Sequence, residues 1–195
     1  MEEPVQGKDP WLQQWLPLIS ARAGGLPILE LGCGAGRDSA VLAGQGHAIV
    51  GLDISSEAIA RARQRVPSAR FFVQDLRAPF PVPGPFGVAI ASLSLHYFAW
   101  EETVRLAELI HASLRPGGAL LCRLNSTNDV HYGATGHPRI AENYYLVDGQ
   151  HKRFFDRAAV EQLFSRGWTM LGLEEKTVHR YEHPKMLWEV SLERS

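Results

Sequence analysis

Short apolar runs alternate with amphipathic helical periods along most of this chain. PILELG at 27–32 is a continuous apolar run closed by glycine, and it predicts a buried strand. RDSAVLAGQG at 37–46 follows as a helix, with Asp38 near its positive N-terminal end. HAIVGLD at 47–53 is a second strand. Ser55 or Ser56 caps the basic amphipathic helix SSEAIARARQRV at 55–66. ARFFVQD at 69–75 and VAIASLSL at 88–95 are strands three and four. The breaker-rich APFPVPGPFG at 78–87 makes a loop between them. EETVRLAELIHASLRPGG at 101–118 reads as a helix stopped by Pro116 and the Gly117–Gly118 pair, and ALLCRLNS at 119–126 as a fifth strand. This β-α-β order implies an α/β fold, a doubly wound, mostly parallel sheet with helices on both faces.

The two ends depart from that rhythm. Asp9-Pro10 looks like a helix cap followed by proline at the first helical position, and Trp11, Trp15 and Ile19 recur at helical spacing behind it. Such a helix either packs on the domain or serves as a lid. Residues 127–153 are polar and aromatic. They hold a predicted hairpin, NYYLV and QHKRFF about the type I′ turn Asp148-Gly149. Asp156 caps DRAAVEQLFSRG, which Gly167 ends. TMLGLEEKTVH and KMLWEVSLER are strands joined by the short RYEHP, hence antiparallel neighbours. The expected organisation is one domain: an N-terminal helix (1–25), a ligand-binding core (26–126), a lid insertion (127–153), and a C-terminal helix with a strand pair (154–195).

With 195 residues the chain suffices for one sizeable core. A formal net charge of −1 provides no global basic field for nucleic acid or an anionic membrane, so neither partner is expected. Two cysteines form no disulfide framework and fit a reducing, cytoplasmic setting. No secretory leader is read in MEEPVQGKDP, and no run has the length of a membrane helix. The eight histidines carry no established metal-ligand spacing, so no metal is expected.

The chemistry starts at ELGCGAG, residues 30–36. Glycines at a strand end let a nucleotide-like ligand approach the backbone. The dinucleotide fingerprint G-x-G-x-x-G/A fails here: its third position falls on Arg37 when started at Gly32 and on Ser39 when started at Gly34. Asp53 closes the second strand about twenty residues on, where a carboxylate accepts from ribose hydroxyls. That placement suits NAD and S-adenosylmethionine alike.

The ordered set ELGCGAG (30–36), GLD (51–53), VQD (73–75), ASLSLHYF (91–98) and LRPGG (114–118) resembles the class I S-adenosylmethionine-dependent methyltransferases. The last two strands look like that family's reversed final strand, which implies a seven-stranded sheet. The resemblance assigns Gly32, Gly34 and Gly36 to the methionine moiety of S-adenosylmethionine and Arg37 to its carboxylate. It assigns Asp53 to the ribose, Ile54 to the adenine face, Asp75 to the adenine amino group, Leu76 to the ring and Ser92 to the methionine side. It also implies a small-molecule methyl acceptor. The segment LNSTNDVHYG…ENYYLVDGQHKRFFD is loosely similar to bacterial small-molecule methyltransferases, including the tellurite-resistance type.

His96, at the carboxyl edge of the fourth strand, is the candidate catalytic base or a structural histidine. Arg123 and Asn125 end the fifth strand on the same edge. His131, Tyr132, Tyr144 and Tyr145 belong to the insertion, and Tyr181 and His183 to the RYEHP turn. Aromatic side chains mixed with His and Arg suit a small polar or aromatic acceptor, or an anion. A basic acceptor needs no general base, because the sulfonium leaves as a neutral thioether.

Overall fold

Five of the apolar runs pair side by side in one parallel array. The computed structural model describes residues 9–195, so residues 1–8 of the expected N-terminal segment lie outside the described residues. Strands β1 (Ile28–Leu31), β2 (Ile49–Asp53), β3 (Arg70–Val73), β4 (Phe86–Ser92) and β5 (Leu114–Asn125) run parallel. Helix α1 (Leu16–Ala23) precedes β1. Helices α2 (Arg37–Gly44), α3 (Ser56–Arg65) and α4 (Trp100–Ser113) follow β1, β2 and β4. A small antiparallel sheet then forms from β6 (Arg139–Ala141), β7 (Tyr144–Val147) and β8 (Gln150–Arg153), ahead of α5 (Arg157–Leu163), β9 (Trp168–Val178) and β10 (Lys185–Arg194). The main sheet has the order β3-β2-β1-β4-β5-β10-β9, with β10 antiparallel to both neighbours.

Strand alternation explains the layering. Leu29, Leu31, Ala89, Ala91, Leu120 and Cys122 face one side and pack with Leu106 and Ile110 of α4 and Val160 and Leu163 of α5. Ile28, Ile49, Val88, Ile90 and Leu121 face the other, against Ile19 of α1 and Leu42 of α2. The chain moves outward from β1 to β3 and returns to β4 beside β1. That reversal makes a switch point at the carboxyl ends of β1 and β4, where open α/β sheets leave a crevice.

Two local expectations change. Asp9 does not cap a helix: a 3-10 turn at Gln13–Trp15 leads into α1, and neither has a side-chain cap. The Asp9 carboxylate instead pairs with Arg123 in the interior. Helix α4 ends at Ser113, and Leu114–Gly118 already belong to β5. There Phe86 pairs with Leu114 and Val88 with Ala119, a bulge that absorbs Pro116 and the glycine pair. The polar face of β10 is covered as well. Glu189, 4% exposed, accepts from Gln14 Nε2 (2.6 Å), Trp15 Nε1 (3.0 Å) and the Lys176 ammonium (3.1 Å).

Helix α5 stops at Leu163, short of Gly167, and β4 stops at Ser92, while the two side-chain caps and the hairpin turn match. Ser55 caps α3 by accepting from Ala58 N, and Asp156 caps α5 by accepting from Ala159 N. Val147 pairs with Gln150 across Asp148 and Gly149, whose φ values of 49° and 77° make the two-residue type I′ turn. Strand β6 completes this sheet and carries no comparable periodic signal.

Candidate cofactor and acceptor site

The loop after β1 is shaped by backbone approach. Gly32 N and Cys33 N both donate to the Leu52 carbonyl, at 2.8 and 2.9 Å, tying the loop to the end of β2. Gly32 has φ +70°, and a Cβ there would lie 2.5 Å from Ser94 Cβ. Gly34 has φ +53° and open space where a Cβ would stand. Gly36 sits at the N-terminal boundary of α2, pressed on Ala62 of α3. The Asp53 carboxylate joins two loops: Oδ2 accepts from Gly34 N (2.8 Å) and Oδ1 from Ser55 N (2.9 Å). Each oxygen keeps a second lone pair for a ligand hydroxyl.

Two cavities meet at Gly32. One, of about 270 Å³, is lined by Gly34, Arg37, Asp38, Ser92, Arg123 and Arg180. The other, of about 340 Å³, is lined by Asp53, Ile54, Asp75, Leu76, Tyr97 and Gln150. Of the nine expected cofactor residues, Gly36 alone lines neither cavity. Ile54 is 70% exposed, an apolar side chain open to a flat ligand. Asp75 accepts from Arg77 N at 2.9 Å and from the Arg77 guanidinium at 3.1 Å.

The first cavity has both signs of charge in its wall. Burial pushes the Glu30 carboxyl up to about 8, reinforced by Asp38, and the bond it accepts from Ser39 Oγ opposes the shift. Burial raises Asp38 too, against the hydrogen bond from Trp11 Nε1 (2.9 Å) and the charge of Arg123. Arg123 is 1% exposed. It donates to Ser92 Oγ (2.9 Å) and Asp9 Oδ2 (2.6 Å), and its guanidinium lies 4.4 Å from the Trp11 ring centroid. Arg180 reaches the same Asp9 carboxylate at 3.6 Å. Arg37 stands exposed at the rim. Acids and guanidinium groups in one small cavity suit a zwitterionic amino-acid end, while Asp53, Ile54 and Asp75 in the other suit a nucleoside. The donor set therefore fits S-adenosylmethionine end to end.

His96 is buried beside this site and lines neither cavity. Burial first, then the charges of Lys185 and Lys152, push its imidazole down to about 3, so the ring is neutral at physiological pH. Nδ1 has no hydrogen-bond partner among the described residues, nor do Ser94 Oγ and Asn125 Oδ1. Asn125 Nδ2 donates to the Arg153 carbonyl at 3.5 Å. The structure does bring together His131, Tyr132, Tyr181 and His183. The two imidazoles stack at 5.0 Å, the two phenol rings lie 5.5 Å apart, and Tyr132 Oη accepts from His183 N at 3.1 Å. Tyr144 turns elsewhere: its hydroxyl donates to the Tyr97 carbonyl, and its ring lines a separate cavity with Trp100 and Arg153. Tyr145 packs edge-on to Phe154.

Arg180 and Gln150 line these cavities, Asp9 and Trp11 brace their walls through Arg123 and Asp38, and no motif pointed to any of the four. Asp9 carries the signal of a cap, Arg180 lies in a bend without periodicity, and Gln150 opens the short polar strand β8. Their neighbours are set by tertiary contacts.

Strand order and a crevice at the switch point with this donor set define the class I S-adenosylmethionine-dependent methyltransferase fold. Residues 28–118 match the family model described as a methyltransferase domain. S-adenosylmethionine fits the residues that line the two cavities. A trans-aconitate 2-methyltransferase of Delftia acidovorans is 35% identical over 113 residues, 56% of this chain and 40% of that relative. The chain spans less than half the length of the curated relatives it matches. Among solved structures, a SAM-dependent methyltransferase of Methanosarcina mazei superposes with TM-score 0.76 at 20% identity, covering 91% of this chain and 97% of that one. A 1,6-didemethyltoxoflavin-N1-methyltransferase of Burkholderia thailandensis, with that compound and S-adenosylhomocysteine bound, gives TM-score 0.69 at 21% identity over 96% of this chain and 81% of that one. At these identities the likeness is one of fold.

Proposed function

We propose that this protein transfers the methyl group of S-adenosylmethionine to a small-molecule acceptor by in-line displacement. The observation that carries this reading is the meeting of the two cavities at Gly32, one with zwitterion chemistry and the other with nucleoside chemistry. The bound cofactor supplies a methyl on a sulfonium, which departs as a neutral thioether without acid assistance. Asp53 anchors ribose hydroxyls while staying tied to Gly34 and Ser55. Asp75 accepts from the adenine amino group, and Ile54 and Leu76 flank the ring. Arg37 takes the methionine carboxylate, and Ser92, fixed by Arg123, lines the methionine side. Gly32 keeps the backbone out of the path where the two ends join.

The N-terminal segment, pinned by the Asp9–Arg123 pair, closes the methionine end, and residues 127–153 cover the acceptor end. Holding the reactants in line and excluding water supply about 7 kcal/mol or more of acceleration. His96, neutral and buried, orients acceptor or wall by hydrogen bonding. His131, Tyr132, Tyr181 and His183 form an outer acceptor wall; Tyr145, in the covering hairpin, and Tyr144, which packs the hairpin on the core, act less directly. Buried free thiols at Cys33 and Cys122 support work in the reducing cytoplasm.

Calorimetry with S-adenosylmethionine and S-adenosylhomocysteine tests the reading. Micromolar binding of both is expected, with S-adenosylhomocysteine release when an acceptor panel is added. No binding at millimolar cofactor overturns it.

A further inference from the structure

The wall beyond the cofactor cavities holds an excess of positive charge. Lys185 is 8% exposed, and its ammonium lies 3.3 Å from Asp129 Oδ2 and 5.5 Å from the Tyr132 ring centroid. Asp129 is itself fully engaged: its other oxygen accepts from His131 N and Tyr132 N. Lys152 is half-buried in β8, and its ammonium has no hydrogen bond or ion pair among the described residues. Strand alternation puts Lys152 on the face of Gln150, which lines the nucleoside cavity. The hairpin is docked there by Arg153 Nε, which donates to the Phe98 carbonyl at 3.3 Å, and by Tyr144 on Tyr97. The charges of both lysines act on His96, and that of Lys152 on Lys185.

Lys185 thus has Asp129 as its counter-ion, Lys152 has none, and the imidazole on which both charges act is neutral. Withdrawing a cation from water without a counter-ion is unfavourable, so a wall of this kind is completed by an anion. In the same region Ser94 Oγ, His96 Nδ1 and Asn125 Oδ1 are buried without partners, in residues 5%, 4% and 2% exposed. Buried polar groups are ordinarily hydrogen-bonded. Three orphans together, beside surplus cations, mark a ligand site.

We propose that the methyl acceptor is an anion, a small molecule whose carboxylate or comparable oxyanion is anchored by Lys152 and Lys185. This deepens, and rests on, the reading of the protein as a methyltransferase. The anchored group is distinct from the methylated atom, because ammonium groups against the nucleophile's lone pair would lower its reactivity. Lys152 is the specificity-determining residue, brought to the site by the hairpin.

The test uses the full chain saturated with S-adenosylhomocysteine and titrated with matched pairs, benzoate against benzamide and succinate against succinamide. At least one carboxylate should bind tenfold or more tightly than its amide. Lys152→Met should remove that preference while leaving S-adenosylhomocysteine affinity within twofold, and Lys152→Arg should restore it. Thermal melting of both variants within a few degrees of the parent verifies the fold. If S-adenosylhomocysteine binds but no carboxylate exceeds its amide, or if Lys152→Met keeps the preference, the anionic anchor is wrong and the cofactor reading stands. If S-adenosylhomocysteine itself fails to bind, both fall.

Discussion

Around Gly32 and Asp53 the polar groups are already engaged: Asp53 bridges Gly34 N and Ser55 N, Glu30 holds Ser39, and Arg123 holds Ser92 and Asp9. Around His96 they are not, and Ser94 Oγ, His96 Nδ1 and Asn125 Oδ1 face no protein partner among the described residues. The cofactor wall is preorganised by its own hydrogen bonds, and the cofactor adds to bonds already made. The proposed acceptor wall keeps unpartnered polar atoms that a ligand would satisfy, at some expense in stability. Substitutions in the first should therefore damage folding and cofactor binding together. Substitutions in the second should spare cofactor binding.

The largest effect is expected from Arg123→Met. It leaves Asp9, Arg180 and Ser92 without the group that organises them, and breaking a buried pair costs about 3–5 kcal/mol. Chemical denaturation measures it, and a loss below about 1 kcal/mol would show the pair to be dispensable. Gly32→Ala follows. Its Cβ meets Ser94 Cβ at 2.5 Å in a left-handed backbone, for about 3 kcal/mol of strain and overpacking. S-adenosylhomocysteine affinity should fall with it, read by calorimetry.

Asp53→Asn keeps the shape but replaces one accepting oxygen by an amide nitrogen that cannot accept, so S-adenosylhomocysteine binding should weaken by about 1.5–3 kcal/mol and the melting temperature should fall by a few degrees. An unchanged affinity would reduce Asp53 to a loop tie.

The pH dependence has opposite signs in the two walls. Glu30 has its folded value raised from 4.5 to about 8, so its share of stability is present below 4.5 and declines as pH rises to 8. His96 has its folded value lowered from 6.5 to about 3, so its share is present above 6.5 and declines as pH falls to 3. Melting curves should show Glu30→Gln flattening the alkaline side and His96→Gln the acid side, each by a few degrees for a domain of this size. The smallest effect is expected for Asn125→Leu. It deletes an orphaned acceptor along with one long bond to Arg153, so stability should stay within about 1 kcal/mol. A loss above about 2 kcal/mol would show that Asn125 has structural work of its own.

Legibility differed by region for the same reason. The parallel core was readable because strands buried on both faces leave continuous apolar runs and the loop after β1 needs glycine where its backbone is crowded. Ser55, Asp156 and Asp148-Gly149 were readable because caps and tight turns are local hydrogen-bond and φ constraints. Asp9 misled, since an acid before proline carries the same local signal whether it caps a helix or crosses the fold to Arg123. Tyr144 and Tyr145 are adjacent in a strand and turn to opposite sides. Tyr144 thus sits against Trp100 and Arg153 rather than over the cofactor cavities. Lys152 and Lys185 gave no signal at all, because a lysine in a polar strand usually meets water.

The sequence by itself determined the α/β layering, the reversed strand beside β5 and the residues that line the two cavities after β1, β2, β3 and β4. Each depends on local periodicity or on a backbone conformation that few residues adopt. Tertiary structure alone decided which side chains share a wall: Asp9 with Arg123 and Arg180, Gln150 with Asp53, Lys152 and Lys185 with His96. Those groups come from chain segments far apart in sequence, and no short-range pattern encodes a charge balance that exists only once the segments are packed.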